Sequence, residues 1–352
     1  MRTMRRPGAR SLVTGVAALV AVGLLAGCTS DGGETTPEEN VAEQGTSSDE
    51  NAASGDTVVI GWSGPEADHG WLGAINSGAL AAAESFDDVE LRQAEGTNDA
   101  SQQIAAVEQF INEDVDAIVL LPTDGAALTE VALQAMEAGI PVINVDREFS
   151  STFASRSTIL GDNYGMGVSA GTYICEQLEG QSDAVVAEIA GIDSLPLTQD
   201  RSQGFSDALE DCDLEVGPRV AADFTVAGGE SAASQLLSAN PEIDAIWNHD
   251  DDQGVGVLAA IEAAGRDEFF LVGGAGSVNM MDRIEADDSV IKATVIYPST
   301  QAADGIALAR LVAQEKTMSD LVTPSVPYRI VLDAPVVTKD NVADYIDLAF
   351  ES

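Results

Sequence analysis

The sequence predicts an α/β protein built from two doubly wound parallel sheets, and three observations lead to that prediction. Beyond Thr57, short apolar runs typical of buried strands alternate with stretches whose apolar residues recur at helical spacing. Repeated strand–helix units form parallel sheets with helices on both faces. Finally, the chain beyond Asp56 is long enough to form two lobes with separate cores.

The first half of this region contains three predicted strands and three predicted helices. The strands are Thr57–Trp62, Ala117–Leu121 and Pro141–Asp146. The first helix is Ile75–Phe86, and the second has an apolar face of Ile104, Val107 and Ile111. The third has an apolar stripe of Leu128, Val131, Ala132, Ala135 and Met136. Gly139 ends the last of these helices. Together these units predict one parallel sheet.

The second half repeats the alternation, which predicts the second sheet. Its helices are Met166–Leu178, Arg201–Leu209, Ser231–Leu237, Val255–Ala264 and Ile306–Gln314, and its strands are Ala184–Ala190, Val220–Phe224, Ile243–Trp247, Phe269–Val272 and Val290–Tyr297. Ligands of such sheets bind beyond the carboxyl ends of the strands. Polar residues just past strand ends are therefore the candidates for a site.

The N-terminal segment predicts export from the cytoplasm. Several arginines precede an apolar run that ends in Leu25-Ala26-Gly27-Cys28, so residues 1–27 are predicted to be a signal peptide. The order Leu-Ala-Gly-Cys resembles a bacterial lipobox, which implies cleavage before Cys28 and lipid on its thiol. The alternative is an ordinary cleaved signal in which Cys28 is incidental.

Residues 28–56 are predicted to form an acidic, disordered tether. From Thr29 to Asp56 the chain has no Lys or Arg and almost no large apolar side chain. Such a stretch cannot bury enough apolar surface to offset the entropy lost on ordering. An acidic interaction tail is the alternative interpretation.

Composition excludes several classes of function. The chain has 16 Lys and Arg against 59 Asp and Glu, a formal net charge of −43, which argues against nucleic acid and against adhesion to anionic lipid. Its two histidines, His69 and His249, are too few for most catalytic or zinc schemes, and it has neither a P-loop nor a nucleophile elbow. We therefore expect no enzyme activity, no cofactor and no metal.

The two remaining cysteines, Cys175 and Cys212, belong to a chain destined for an oxidising compartment. They lie near the ends of predicted helices that flank the strand Ala184–Ala190. We predict a disulfide between them, with two buried free thiols as the alternative.

Several strand ends carry polar motifs, and their order along the chain resembles a known family. The motifs are "PVINVDRE", "GDN" at 161–163, "DRSQGF" at 200–205, "IDAIWNHDDDQGVGVLAAIEAAGR" and "FFLVGGAG". Each is weak alone, but in this order and spacing they resemble the ribose-type periplasmic sugar-binding proteins, the type 1 substrate-binding components of ABC importers. The resemblance runs from Thr57 nearly to the C-terminus.

This resemblance implies the periplasmic binding protein type 1 fold, with two lobes joined by three crossovers. The first lobe is expected at 57–161 plus 298–323, and the second at 162–297 plus 324–352. The crossovers are expected near Asp162-Asn163, Tyr297-Pro298 and Thr323-Pro324. A ligand held between the lobes would close them, with these crossovers as the hinges.

The resemblance also assigns a ligand site, residue by residue. Asp146 and Arg147 match the pair that grips sugar hydroxyls, and Arg201 matches the arginine of the second lobe. The full predicted set is His69, Trp71, Leu72, Asp146, Arg147, Arg201, Phe224, Asp250 and Tyr297. At three positions, Asp250, Tyr297 and Ala275, the chain departs from the residues that the family commonly has, so the identity of the sugar stays open.

Physical chemistry agrees with a neutral polyol as the ligand. Carboxylates accept hydrogen bonds from hydroxyls, arginine donates in a fixed fork, and aromatic rings cover C–H faces. The alternatives are that the charged residues form surface ion pairs, that Trp71 and Phe224 are core aromatics, and that the residues around His69 shape a turn.

The expected function is that of a monomeric, lipid-anchored, extracytoplasmic binding protein that delivers a sugar or polyol to ABC permease subunits. A sensory receptor for a sugar or a furanosyl signal, built on the same scaffold, is the alternative. The sequence does not separate transport from sensing.

Overall fold

The computed structural model describes residues 53–318, 321 and 325–352. The predicted signal peptide and Cys28 lie outside these residues. None of the helices in the described ranges is long and apolar enough to cross a membrane.

Twelve strands form two six-stranded sheets in the described part of the chain. The strands are β1 Val58–Ser63, β2 Val89–Gln93, β3 Ala117–Leu120, β4 Val142–Val145, β5 Ser157–Gly161, β6 Val186–Ala190, β7 Val216–Ala221, β8 Ala245–Asn248, β9 Phe270–Ala275, β10 Ile291–Ile296, β11 Arg329–Leu332 and β12 Val336–Thr338. The first sheet has the order β11-β5-β4-β3-β1-β2, and the second has the order β12-β10-β9-β8-β6-β7.

Ten α-helices lie in the described residues and cover the sheets. They are α1 Gly70–Glu84, α2 Ala100–Asn112, α3 Gly125–Glu137, α4 Asn163–Gln177, α5 Pro196–Glu210, α6 Val226–Ala239, α7 Asp251–Ala264, α8 Val278–Ala286, α9 Gln301–Ala313 and α10 Val342–Tyr345. We call the first sheet with α1–α3 and α9 the first lobe, and the second sheet with α4–α8 and α10 the second lobe. Helix α9 packs against α1 and the strands of the first sheet, although it follows the second sheet in the chain.

The predicted fold class is confirmed: two lobes with parallel sheets are joined by three crossovers. All strand pairs are parallel except β12 with β10. An antiparallel edge strand on an otherwise parallel sheet is common in folds of this class. The chain passes between the sheets after β5, after β10 and after β11.

The third crossover differs from its prediction. Strand β11 pairs with β5 in parallel register, from Arg329 with Thr158 to Leu332 with Gly161. The residues up to Leu332 therefore belong to the first sheet, and the expectation that 324–352 lies wholly in the second lobe is wrong. Thr323 and Pro324 lie outside the described residues. The chain crosses instead between β11 and β12.

The predicted tether also ends earlier than expected. Gly55 donates its backbone N–H to Asp88 Oδ2 at 2.6 Å, and Ala53 accepts hydrogen bonds from Arg310 and Lys316 at 2.9 Å each. Hydrogen bonds between this backbone and buried or half-buried polar side chains of the first lobe therefore hold residues 53–56 in place. The prediction of disorder is wrong for these four residues, and the rest of the tether lies outside the described range.

One disulfide links the first two helices of the second lobe. Cys175 near the end of α4 is bonded to Cys212 just after α5, at a Cα–Cα distance of 6.1 Å. Glycines bring these helices close: a Cβ at Gly167 would lie 2.0 Å from the carbonyl oxygen of Arg201, and one at Gly204 would lie 2.1 Å from that of Tyr164. This close packing fixes Arg201 next to the start of α4.

Candidate ligand-binding site

The residues that follow strands of one sheet contact residues that follow strands of the other. Tyr297, after β10, donates its hydroxyl to Oδ1 of Asp146, after β4, at 2.5 Å. Asp252, after β8, accepts a hydrogen bond at 3.0 Å from the backbone N–H of Trp71, after β1. The carboxyl ends of the two sheets therefore face each other, which is where ligands bind in open α/β sheets.

Asp146 and Arg147 form the strand end of the first lobe. Asp146 is almost fully buried and has a φ of 63°, in the left-handed region that Asp adopts more readily than most residues. Arg147 Nε lies 3.6 Å from Asp146 Oδ2, and its Nη1 donates to the carbonyl of Thr123 at 2.9 Å. Within the described residues, Arg147 Nε is buried without a hydrogen-bond partner. A buried donor of this kind is the group that a ligand oxygen would satisfy.

Arg201 lies at the centre of the contact between the lobes. Its Nε donates to Asn163 Oδ1 at 2.8 Å, and its Nη1 donates to the carbonyl of His249 at 3.1 Å. Its guanidinium lies 4.4 Å from the ring centroid of Tyr297 and 5.9 Å from that of Phe224. The side chain is 4% exposed, so these cation–π contacts are formed away from bulk water, where they are strongest.

Asn163 joins the two lobes' charged groups into one chain of hydrogen bonds. While its Oδ1 accepts from Arg201, its Nδ2 donates to the Tyr297 hydroxyl at 3.1 Å, and that hydroxyl donates to Asp146. Asn163 is the first residue of α4, directly after the first crossover. Burial, followed by the charge of Asp146, raises the pKa of Tyr297, so it stays a donor at any physiological pH.

The aromatic side chains of the site are positioned by their neighbours. The Trp71 ring lies 5.4 Å from the Tyr297 ring, and Trp71 Nε1 donates to the Tyr297 carbonyl at 3.1 Å. Phe224 has a φ of 66°, and its backbone N–H donates to Gln253 Oε1 at 3.1 Å. A Cβ at Gly191 would lie 2.0 Å from the Phe224 ring, so only glycine leaves room for it. A positive φ is rare for a bulky residue, and residues with such rare backbone conformations are found mostly at functional sites.

The three consecutive aspartates after β8 have three different partners. Asp250 caps α7 by accepting from Gln253 N at 3.1 Å. Asp251 accepts from the backbone N–H groups of Gly274, Gly276 and Ser277 and from the Thr294 hydroxyl, so it holds the ends of β9 and β10. Asp252 reaches the first lobe, where it binds Trp71 N and lies 3.2 Å from His69 Nδ1.

Electrostatics near His69 is dominated by carboxylates. Burial, with the charge of Asp252, raises the pKa of Asp250 to about 6. Burial acts to lower the pKa of His69, but its hydrogen bond to Asp252 and the charges of Asp250 and Asp68 outweigh burial and raise that pKa. The pKa values of Asp250 and His69 therefore both lie above their ordinary values.

A second group of buried polar residues lies below the site in the second lobe. Glu188 Oε1 accepts from His249 Nε2 at 2.9 Å and from the Ser202 hydroxyl, and its Oε2 accepts from Arg219 Nε at 3.0 Å. Burial lowers the pKa of His249, so it is a neutral donor to Glu188. These hydrogen bonds fix the backbone of His249 that binds Arg201, while His249 Nδ1 is buried without a hydrogen-bond partner in the described residues.

A cavity of about 500 Å³ adjoins the site between the lobes. Asp146, Arg147 and Asn163 line one part of it, the loop at 194–197 before and at the start of α5 lines another, and Val331 of β11 lines a third. Its size falls within the range of small-molecule sites. Since the carboxylate of Asp146 and the guanidinium of Arg147 line it, the cavity suits a compact molecule rich in hydroxyls.

The structure brings most of the predicted site residues together. His69, Trp71, Asp146, Arg201, Phe224 and Tyr297 are linked by the contacts above, and Arg147 and Asp250 adjoin them. Leu72 is buried with Trp71 in the main hydrophobic cluster. Burial in this cluster does not by itself make Leu72 a ligand-binding residue. Ala275, where many family members have a ligand-binding Asp, offers no polar side chain.

Two residues of this arrangement were not predicted. Asn163 lies in the "GDN" motif, whose position at a crossover was the available signal. Asp252 is the third residue of an acidic run, where nothing in the sequence distinguishes it from its neighbours.

Comparison with known proteins agrees with this geometry. The sequence model of the family described as "periplasmic binding protein domain" matches residues 60–317. The ribose import binding protein of Bacillus subtilis is 31% identical over 229 residues, which cover 63% of this chain and 72% of that protein.

Solved structures give the same picture. A protein of Mycobacterium smegmatis in complex with β-D-fucofuranose is 25% identical, with a TM-score of 0.74, and the match covers 83% of this chain and 94% of that chain. The fructose-binding periplasmic domain of a hybrid two-component system is 27% identical, with a TM-score of 0.71, over 82% of this chain and 93% of that one.

Proposed function

This chain belongs to the periplasmic binding protein domain family, and from that premise we propose that it captures a neutral sugar or polyol between its lobes and delivers it to an ABC importer. The observation that carries the proposal is the hydrogen-bond chain from Arg201 through Asn163 and Tyr297 to Asp146. Asp146 of the first lobe and Asn163 of the second lobe both line the cavity, which supports a ligand that contacts a carboxylate and an amide from opposite lobes.

The charges at the site support a neutral ligand. Arg147 and Arg201 are matched by Asp146 and Asp250, so a phosphate or carboxylate would meet as many anionic groups as cationic ones. Binding of an anion there would leave a buried carboxylate beside it, which is costly. A polyol can donate to the carboxylates and accept from the guanidiniums at once.

We further propose that the chain works on the outer face of the cytoplasmic membrane, attached by lipid on Cys28. The sequence Leu25-Ala26-Gly27-Cys28 after an apolar run supports this. Replacing Cys28 with Ser should move the protein from the membrane fraction to the soluble one. A variant that stays in the membrane fraction, with a mature N-terminus elsewhere, would contradict the anchor.

Sensing is the second candidate function, because the fructose-binding domain of a hybrid two-component system has the same fold. The two functions differ in the membrane partner. Co-purification with permease subunits after crosslinking in native membranes would support import. Recovery of a kinase or a chemoreceptor instead would support sensing.

Ligand capture itself is tested by a thermal-shift screen of the purified protein. Pentoses, hexoses, cyclic polyols and furanosyl sugars are compared with sugar phosphates and sugar acids of the same size. A ligand at 100 times its Kd should stabilise the protein by about 2.7 kcal/mol. Stabilisation by a sugar phosphate but by no neutral sugar would overturn the proposed ligand class.

Lobe closure gives an independent measurement of the same function. Because the lobes are joined by three short crossovers, after β5, β10 and β11, each lobe should move as a rigid body. The radius of gyration from X-ray scattering should fall when a stabilising sugar saturates the protein. An unchanged radius at saturation would mean that capture occurs without closure.

A further inference from the structure

Helix α1 of the first lobe receives its N-terminal cap from the second lobe. The first N–H groups of a helix have no partner within the helix, and usually the side chain of the N-cap residue accepts from one of them. In α1 the N-cap residue is His69, whose side chain makes no such bond. Asp252 Oδ2 accepts instead from Trp71 N, at the second position of the helix, at 3.0 Å.

Six of the other nine helices in the described residues are capped by the side chain of their own N-cap residue, and α5, α9 and α10 have no side-chain cap. Asp99 caps α2, Asp124 caps α3 and Asp162 caps α4, each through its own side chain at the N-cap position. Asp250 does the same for α7, two residues before Asp252. An acceptor from the opposite lobe at α1 is therefore a departure from the pattern of this protein.

The surroundings of Asp252 fit this contact closely. The side chain is 4% exposed, although a lone carboxylate is rarely buried. A Cβ at Gly70 would lie 2.6 Å from Asp252 Oδ1, so the first residue of α1 leaves room for the carboxylate. The same Oδ2 that binds Trp71 N also lies 3.2 Å from His69 Nδ1, and both of these partners belong to the first lobe.

We propose that Asp252 is a positioning residue for ligand capture: it caps α1 only when the lobes are closed, and thereby fixes the first turn of α1, which carries Trp71. The proposal rests on the proposed function, because it supplies the link between closure and the placement of a ligand-facing ring. Trp71 is held from three directions by this cap, by the Tyr297 carbonyl and by the Tyr297 ring. Opening the lobes removes the cap and loosens this turn.

The first arm is measured with the protein saturated by a sugar from the thermal screen, because the proposed cap exists only when the lobes are closed. Amide hydrogen exchange in the first turn of α1 is measured for the full-length protein, for Asp252→Ala and for Asp99→Ala. Since a cap is worth about 0.5–2 kcal/mol, its loss should speed exchange at Trp71 and its neighbours roughly 2- to 30-fold in Asp252→Ala. Asp99→Ala is the matched control, because the same change removes a cap inside the first lobe. It should speed exchange in α2 and leave α1 unchanged.

The second arm uses D-ribose and myo-inositol as probes, with binding followed by stopped-flow tryptophan fluorescence. A contact formed on closure should act on release, so Asp252→Ala should speed dissociation roughly 2- to 30-fold and leave association unchanged. Asp99→Ala should alter neither rate. A drop in association with unchanged dissociation would overturn the closure role.

A conservative variant separates capping from charge. Asn is as good a cap as Asp, so exchange in α1 should be slow again in Asp252→Asn if Asp252 acts by capping. If Asp252 acts through its charge on His69, exchange should stay fast in Asp252→Asn. If Asp252→Asn exchanges as fast as Asp252→Ala, the capping proposal is wrong.

The two proposals fail in different ways. If no sugar stabilises the parent protein in the thermal screen, the proposed ligand class is overturned, and the role of Asp252 in ligand capture falls with it. If a probe binds and α1 exchange is the same in the parent and in Asp252→Ala, the cap is overturned while ligand capture stands.

Discussion

The polar strand ends of the two lobes resemble each other in sequence but differ in how their side chains are bound. After β4, Asp146 and Arg147 keep bonding capacity free at the cavity, including the Nε–H of Arg147. After β8, His249 binds Glu188, Asp250 caps α7, and Asp251 holds the neighbouring strand ends. Only Asp252 of that run reaches across to the first lobe. A dense cluster of charges is thus less available to a ligand than a sparse pair, because most of the cluster is already satisfied.

The largest test of this difference is at Asp251. Asp251→Ala leaves three backbone N–H groups and a hydroxyl without an acceptor in a fully buried place. At about 1–3 kcal/mol for each unsatisfied group, partly offset by relaxation, the free energy of unfolding should fall by about 3–6 kcal/mol in urea titrations.

The matched change at the other strand end is Asp146→Asn. Asn keeps an acceptor for the Tyr297 hydroxyl and tolerates a positive φ, so stability should change by less than about 1 kcal/mol. Equal losses at Asp251 and Asp146 would contradict the division between a structural and a ligand-facing strand end.

The disulfide of the second lobe sharpens the comparison of the lobes. A link between Cys175 and Cys212, 37 residues apart, should contribute about 3–4 kcal/mol by restricting the unfolded chain. Replacing both cysteines with Ser should lower the free energy of unfolding by that amount. Peptide mapping of the denatured, unreduced protein should find neither thiol free; two alkylated cysteines at these positions would rule the link out.

Arg147 tests the ligand-facing strand end directly. Arg147→Ala removes a charged donor, which is worth about 1.5–3 kcal/mol, so affinity for the sugar found in the thermal screen should drop roughly ten- to hundredfold by calorimetry. Arg92→Ala is the control, because Arg92 is half exposed and pairs with Glu90 on β2, away from the site. Unchanged affinity in Arg147→Ala would remove this strand end from the site.

The smallest expected effect is a dependence of affinity on pH through His69. Its pKa is raised in the closed arrangement, so the stabilisation is complete below its ordinary pKa of 6.5 and is lost as pH rises through the higher value. Affinity should therefore decrease as pH rises above 6.5. Asp250, with a pKa of about 6, is largely ionised over this range. His69→Gln should flatten the profile; a profile as steep as the parent's would assign the titration to another group.

The sequence predicts the central strands well and the edges poorly, for a physical reason. Central strands such as β3 and β4 are buried on both faces and appear as continuous apolar runs. The edge strands β2, β11 and β12 and the interior strand β5 were not predicted, and β7 was placed at 220–224 instead of Val216–Ala221. The outer side chains of the edge strands face solvent, so the apolar signal is missing there. Strand β5 is buried, but Ser157 and Thr158 leave it only a short apolar run.

The sequence also predicts the first residues of helices poorly. Apolar spacing identified the body of α7 from Val255, but the helix begins at Asp251, and α5 begins at Pro196 rather than at Arg201. First turns are polar because they carry caps and cleft residues, so periodicity does not register them. Contacts between distant segments, such as Asn163 with Tyr297 and Asp252 with Trp71, have no local signal at all.

The position of β11 has a consequence for biosynthesis. The first sheet is completed by β11, and its face is covered by α9, yet both follow the strands β6–β10 in the chain. A ribosome that has reached Tyr297 has made most of both lobes and has finished neither sheet. A nascent chain therefore cannot complete one lobe before the other begins, and no contiguous fragment ending before Leu332 contains a whole first sheet. The order of synthesis therefore couples the completion of one lobe to that of the other.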